Sequence, residues 1–252
     1  MNHKTILLLF LCFAIISCKK EPSSPSKIKA ENINITDSLE TISEIDSFIK
    51  PYRDHVNKDL ESVLAYSVDT YSKSDGELNT AIGNFMADLI YEQANPIFNS
   101  RTGKDIDFVL LNHGGIRSII SKGNITTRTA YQVMPFENAI VVLDLKGEQV
   151  QELIKYLVRN KRAHPISKLN IELDSVFNLK NALINGKQFD LNKNYLVCTN
   201  DYLANGGDRM DFFKTHDSLY VLDYKIRNAL IDYLQKVDTI KPTRDNRFIQ
   251  VK

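Results

Sequence analysis

Apolar residues recur at helical spacing in four stretches of the chain. From Ile42 onward Ile45, Phe48, Ile49, Tyr52 and Val56 share one helical face, and Pro51 predicts a kink or a fresh helix start within them. Asn79 or Thr80 is suited to cap a helix in which Ile82, Phe85, Met86, Leu89 and Ile90 fall at i, i+3, i+4, i+7 and i+8, the clearest amphipathic pattern in the sequence. Val150, Leu153, Ile154, Tyr156 and Leu157 give a third helix. Ile226, Ala229, Leu230, Tyr233 and Leu234 give a fourth, which Pro242 is expected to end.

Between these stretches the pattern changes to short apolar runs bounded by turn residues, the mark of strands. Val63 to Thr70 reads as a short strand. Asp107 to Leu111 reads as a buried one that ends in the turn-rich Asn112-His113-Gly114-Gly115. Ala139 to Leu145 stops at Gly147. Lys168 to Ser175 and Ala182 to Phe189 read as antiparallel partners with Asn185-Gly186 as a turn signal. Tyr195 to Thr199 is a further strand, and Arg247 to Val251 is expected at a sheet edge. Strands and helices mix without the regular alternation of a doubly wound fold, so the expected class is α+β, a single domain with a mixed sheet flanked by helices.

The N-terminus departs from this globular pattern. Lys4 precedes an apolar run from Ile6 to Ile16, too short for the ~20 residues of a spanning helix, and Ile15-Ile16-Ser17-Cys18 resembles a bacterial lipobox. The expected organisation is a lipoprotein signal peptide over residues 1–18, with Cys18 lipidated, and a flexible tether over 19–35 containing Pro22, Ser23, Ser24, Pro25 and Ser26. A domain over 36–252 follows. The expected location is the bacterial cell envelope, exported and held by an N-terminal lipid alone. Of the cysteines, Cys198 alone would remain in the folded part, within the apolar run Tyr195-Leu196-Val197-Cys198, and it reads as a small buried hydrophobe. The formal net charge of +1 lacks the basic excess of a nucleic-acid binder, so no nucleic-acid partner is expected.

Candidate chemistry concentrates in three loops beside the predicted strands. In Asn112-His113-Gly114-Gly115-Ile116-Arg117 the glycines permit close backbone approach to a ligand, Asn112 offers donor and acceptor, and Arg117 offers a planar fork for phosphate or sugar oxygens. The bland alternative is a glycine turn beside a solvated arginine. In Met134-Pro135-Phe136-Glu137-Asn138 the ring of Phe136 is either a stacking platform or an ordinary core aromatic. The third loop, Asn200-Asp201-Tyr202-Leu203-Ala204-Asn205-Gly206-Gly207-Asp208, joins an aromatic, two glycines and a carboxylate, although Gly-Gly-Asp is also common as a purely structural turn.

Taken in order, the Ile82-Gly83-Asn84…Asp88 helix, Asn112-x-Gly-Gly-Ile-Arg117, Gly123-Asn-Ile-Thr126, Pro135-Phe136-x-Asn138 and Tyr202-Leu-Ala-Asn-Gly-Gly-Asp208 resemble the C-terminal domain of the 5′-nucleotidase and UDP-sugar hydrolase family, from roughly Ile42 to the end. The resemblance implies a domain that grips the nucleoside part of a nucleotide while a separate metallophosphatase domain performs hydrolysis. It implies that Phe136 and Tyr202 sandwich the base, Asn112 contacts the base, Arg117 contacts ribose and phosphate, and Asp208 binds ribose. Gly114, Gly115, Asn138, Asn205, Gly206 and Gly207 complete the implied substrate-binding set. Stacking of this kind is sequence-tolerant and worth ~1–3 kcal/mol per base.

Two departures qualify the resemblance. Family members often carry arginine just before the Gly-Asn helix, whereas this chain has Ser74-Asp75-Gly76-Glu77-Leu78-Asn79, with Lys73 the nearest base. The family's clustered Asp-x-His, Gly-Asp and Gly-Asn-His-Glu metal-binding set does not occur. His55, His113, His164 and His216 are scattered without ligand spacing, so no metal site, no cofactor and no catalytic residue are expected in this chain, and divalent metal is expected only on a partner. The leading expectation is one half of a split nucleotidase that binds a nucleotide or nucleoside and docks onto a separately encoded metallophosphatase, and is inactive alone. The alternatives are a non-catalytic nucleoside- or nucleotide-binding lipoprotein, and a decayed domain kept as an interaction module.

Overall fold

The computed structural model describes His3, residues 27–36 and residues 38–251; the rest of the predicted signal peptide, Cys18 included, lies outside the described residues. The chain divides into two compact units, Met1–Ile49 and Lys50–Lys252. Helix α1 (Ser43–Leu60) continues through Pro51 instead of restarting there, and it has no buried residue. A proline removes one N–H from the ladder, and on a helix exposed all round the orphaned carbonyl of Ser47 can turn to water.

The larger unit is α+β with mixed sheets flanked by helices. Its strands form three sheets where a single one was expected. The central sheet has the order β10-β4-β9-β2-β5, with β2 at Phe108–Leu110, β4 at Ala139–Leu145, β5 at Ile166–Ser167, β9 at Tyr195–Asn200 and β10 at Ser218–Lys225. A three-stranded sheet joins β1 (Val63–Ser67) to β3 (Gly123–Thr126) and β11 (Thr239–Ile240). A four-stranded sheet joins β6 (Leu169–Leu173), β7 (Leu179–Ile184), β8 (Lys187–Gln188) and β12 (Phe248–Gln250).

Apart from the exposed edge strand β10, the central sheet is buried on both faces, and the period-2 alternation of strands divides its side chains between two cores. Val109, Ile140, Val142 and Cys198 face one core with Ile82, Met86, Leu89 and Ile90 of α2 (Ala81–Thr102) and Ala229 and Leu230 of α6 (Ile226–Leu234). Phe108, Leu110, Val141, Leu143 and Val197 face the other with Val150, Leu153, Ile154 and Leu157 of α4 (Gly147–Asn160). Each fully buried aliphatic contributes ~1.5–3 kcal/mol. Cys198 is a free thiol within this packing, and burial pushes its pKa up, which removes it from nucleophilic chemistry. Thr80 is the cap of α2, its hydroxyl accepting from the Gly83 N–H at 3.1 Å.

One turn and one helix end lie elsewhere than expected. Asn185 and Gly186, both left-handed at φ 53° and 74°, join β7 to the two-residue β8 as a tight hairpin, not β6 to β7. The β6–β7 connection is instead held by Asp174, whose Oδ1 accepts from the N–H groups of Val176 and Asn178 at 2.9 and 2.8 Å. Helix α6 ends at Leu234, well before Pro242, because the chain leaves it to add β11 parallel to β1. The edge strand β12 falls where expected and pairs parallel with β6. The other notable edge, β10, has a register break between Val221 and Lys225 with Asp223 left-handed at φ 54°, and Arg101 donates to the carbonyls of Val221 and Leu222 at 3.2 and 3.1 Å.

Candidate functional site

The order of the central sheet explains why three loops distant in sequence meet. Strands β2 and β9 run parallel, so the segments following Leu110 and Asn200 emerge at the same end. Strand β4 runs antiparallel to β9, with Ile140 opposite Asn200, so the segment entering β4 lies at that end too. The loop after β2 brings the 3₁₀ turn His113–Gly115, the segment before β4 brings Phe136 and Asn138, and the segment after β9 brings helix α5 (Asp201–Ala204) and the turn to Asp208. Asn112, Gly114, Arg117, Phe136, Asn138, Tyr202 and Asp208 together line one cleft of about 350 Å³. Phe136 and Tyr202 are 44 % and 46 % exposed, so neither ring is a core aromatic.

The remaining expected residues lie just behind this wall. Gly115 packs on Asn112, whose Oδ1 would sit 3.0 Å from a Cβ added at the glycine. Asn205 ends α5 and donates from Nδ2 to the Asp201 carbonyl at 2.8 Å. Gly206 is left-handed at φ 84°, and a Cβ on Gly207 would lie 2.4 Å from the Tyr202 ring, so the two glycines shape the turn that brings Asp208 back over Tyr202.

Several residues that hold the cleft were not singled out in the sequence. Asn200 is 3 % exposed; its Oδ1 accepts from the Leu203 N–H at 2.8 Å, capping α5, and its Nδ2 donates to Asn112 Oδ1 at 3.4 Å. Asp201 Oδ1 accepts both from Asn138 Nδ2 at 2.9 Å and from the Tyr202 N–H at 2.8 Å, joining two of the loops. The Asn200-Asp201 pair before a short helix carries an N-cap signal that could have marked these roles. Arg227, 5 % exposed, reaches from α6 to donate to the carbonyl of Pro135 at 3.1 Å, pairs with Glu137, and lies 4.1 Å over the Tyr131 ring. Lys225 also pairs with Glu137, and the hydrogen bonds from Lys225 and Arg227 lower the Glu137 pKa to about 2. No local pattern reveals an arginine ninety residues downstream as the anchor of the Phe136 loop.

Cations gather on one side of the cleft. Arg117 lies with its guanidinium carbon 5.8 Å from the Phe136 ring centre. An adjoining pocket of about 410 Å³ is lined by Arg117, Lys73, Lys161, Arg162 and His113, with Glu77 as its carboxylate. Lys73 donates to the Ile116 carbonyl at 2.7 Å, and its pKa is lowered by burial and then by Arg117 and Arg162. The structure therefore places Lys73, and Arg162 from the α4–β5 connection, in the neighbourhood left without arginine before α2. His113 Nδ1 lies 3.1 Å from the Ala163 carbonyl, and burial is the largest influence lowering its pKa. Burial likewise lowers His164 to about 4, and its Nδ1 accepts from the His113 N–H at 3.3 Å. Among the described residues no group of three or more His, Cys, Asp or Glu side chains is arranged to hold a metal ion, and no helix is long and apolar enough to cross a membrane.

Comparison with known proteins identifies relatives of this sequence and fold. A trifunctional nucleotide phosphoesterase protein of Bacillus subtilis is 28 % identical over 200 residues, covering 68 % of this chain and 12 % of the relative. The cell wall protein Lmo0130 of Listeria monocytogenes is 27 % identical over 196 residues, covering 72 % of this chain and 24 % of that protein. The chain thus spans a quarter or less of the length of these two relatives. The crystal structure of a 5′-nucleotidase precursor from Thermus thermophilus superposes with a TM-score of 0.68 at 22 % identity, over 83 % of this chain and 43 % of that one, which establishes the shared fold. The family model described as 5′-nucleotidase, C-terminal domain, matches residues 60–215, more than half of the chain, and the chain belongs to that family.

Proposed function

We propose that this chain is the recognition subunit of a 5′-nucleotidase-type phosphohydrolase: it holds the nucleoside part of a nucleotide, and a metallophosphatase domain on a separate chain performs the hydrolysis. The observation that carries the reading is the convergence of Asn112, Arg117, Phe136, Asn138, Tyr202 and Asp208 on one cleft. A base stacks between the Phe136 and Tyr202 rings. Asn112, with its Oδ1 already engaged by Asn200, offers amide N–H groups to the base edge. Asp208 accepts from sugar hydroxyls, and Arg117, Lys73 and Arg162 face the phosphate. The names of relatives, a nucleotide phosphoesterase and a 5′-nucleotidase, agree with such a substrate class.

Holding base and sugar fixes where the phosphate lies, and that contribution is entropic: a reaction between separate molecules becomes one between positioned groups. The chain's own residues bind and orient, and no metal-ligand set occurs among the described residues. Anchoring in the cell envelope through lipidated Cys18 completes the proposal, and a cell wall protein among the relatives agrees with an envelope location.

Calorimetric titration of the full chain with adenosine, AMP and a UDP-sugar, without added metal, tests it. Saturable binding is expected, weakened about 5- to 150-fold in Phe136→Ala, the equivalent of ~1–3 kcal/mol. Hydrolysis should appear only after a metallophosphatase chain is added. Absence of binding to all three compounds would overturn the proposal, while binding that never couples to hydrolysis would reassign the chain as a binding lipoprotein.

A further inference from the structure

The hydroxyl of Tyr202 occupies an unusual place for a stacking residue. It donates to Asp208 Oδ1 at 3.0 Å and accepts from the backbone N–H of the same Asp208 at 3.2 Å. Its proton and a lone pair are thereby both committed to one residue six positions along the chain. Asp208 itself is left-handed, at φ 54° and ψ 24°, a conformation that residues other than glycine seldom adopt without support. The Asp208 carbonyl is held in turn by the Tyr156 hydroxyl, donating at 2.9 Å. With Oδ1 taken by Tyr202, the other carboxylate oxygen, Oδ2, lies on the Gly114 side of the cleft: a Cβ added at Gly114 would sit 3.9 Å from it.

From this geometry we infer that Tyr202 is a positioning residue for sugar recognition as well as a platform for the base, its hydroxyl fixing Asp208 so that one carboxylate oxygen is presented to a nucleoside hydroxyl. The inference rests on the reading of the cleft as a nucleoside site and adds a division of labour within it. The ring acts on the base and the hydroxyl acts on the sugar, through Asp208. Phenylalanine at this position would supply the first and not the second. A carboxylate left to rotate would have to be ordered by the ligand at the moment of binding, whereas a braced one is ordered beforehand.

The test uses the full chain and four ligands, adenosine with adenine and uridine with uracil, so that each pair differs only by the sugar. Tyr202→Phe keeps the ring against Gly207 and should weaken nucleoside binding about 10-fold, the loss expected of a hydrogen bond to a charged group, while leaving free-base binding unchanged. In an Asp208→Ala background the same Tyr202→Phe change should have no further effect on nucleoside affinity, because the hydroxyl acts through the carboxylate. Equal losses for base and nucleoside, an unaltered nucleoside affinity, or effects that add in the double variant would each overturn the inference while leaving the cleft a nucleoside site. Failure of the unsubstituted chain to bind any of the four would instead remove the nucleoside reading, and the inference with it.

Discussion

The two aromatic walls of the cleft are held in opposite ways. The Phe136 wall is anchored from behind by charge: buried Arg227 engages Glu137 and the carbonyl of Pro135, and Lys225 adds a second pair to Glu137. The Tyr202 wall is held mainly from within its own turn, by the two hydrogen bonds between the Tyr202 hydroxyl and Asp208, the left-handed Gly206, Asp208 and Arg209, and the contact of Gly207 with the ring, with the Tyr156 hydroxyl adding one bond to the Asp208 carbonyl. The first wall owes its position to a helix far away in sequence, so its integrity is tied to the global fold. The second depends on a local turn and can be altered while the rest of the protein stays folded. Ring exposure is nearly the same on both, so the difference lies in the supports and not in the surfaces presented.

The sharpest way to break this contrast is Arg227→Ala. Removing the guanidinium leaves the Pro135 carbonyl without its donor and Glu137 with Lys225 alone, and it should lower the unfolding free energy by ~2–3 kcal/mol in urea denaturation and weaken nucleoside binding as well. On the other wall, Gly207→Ala places a methyl group against the Tyr202 ring. Nucleoside affinity should fall about 10-fold with a stability change of less than about 1 kcal/mol, since the half-exposed ring can move aside. A large stability loss in that variant would contradict the local character of the wall.

A third prediction concerns pH. His164, beneath the Asp208 side of the site, has a folded pKa of about 4 against an ordinary 6.5, so it is neutral in the fold and the unfolded chain takes up its proton first. Its contribution to stability is full above about 6.5 and is lost as pH falls toward 4. Denaturation curves across that interval should slope for the natural chain and flatten in His164→Asn. The smallest expected effect is Asn138→Ala, which removes the side-chain hydrogen bond from the Phe136 wall to Asp201 on the other wall. It should cost ~1 kcal/mol, and a double-variant cycle with Asp201→Ala should show most of that cost to be shared.

Three of the five central strands, β2, β4 and β9, are legible in the sequence because each is a short apolar run closed by turn residues, and Ala139–Leu145 has the expected limits; the half-exposed edge strand β10 and the two-residue β5 leave no such run and are not. The ligand-facing residues were legible because glycine, amide, aromatic and charge crowd into three loops. Their supports were not. Arg227 acts across ninety residues, and Arg162 reaches the cationic side from a connection that carries no pattern of its own. The division of strands into three sheets was hidden for a similar reason, since pairings such as β1 with β11 depend on packing that local periodicity does not encode. The Asn185-Gly186 turn was recognised as a turn and assigned to the wrong neighbours, because a two-residue strand such as β8 is too short to leave an alternating signature.

The break in register along β10 has a consequence for encounters between copies of the chain. A regular edge strand carrying Leu219 and Val221 on an exposed face would be a template on which another chain could lay a strand of its own. Here the left-handed Asp223 disrupts the ladder and Arg101 occupies the carbonyls of Val221 and Leu222, so an incoming strand would find two of the acceptors taken and a guanidinium beside them. Copies that meet are thereby hindered from polymerising through this edge.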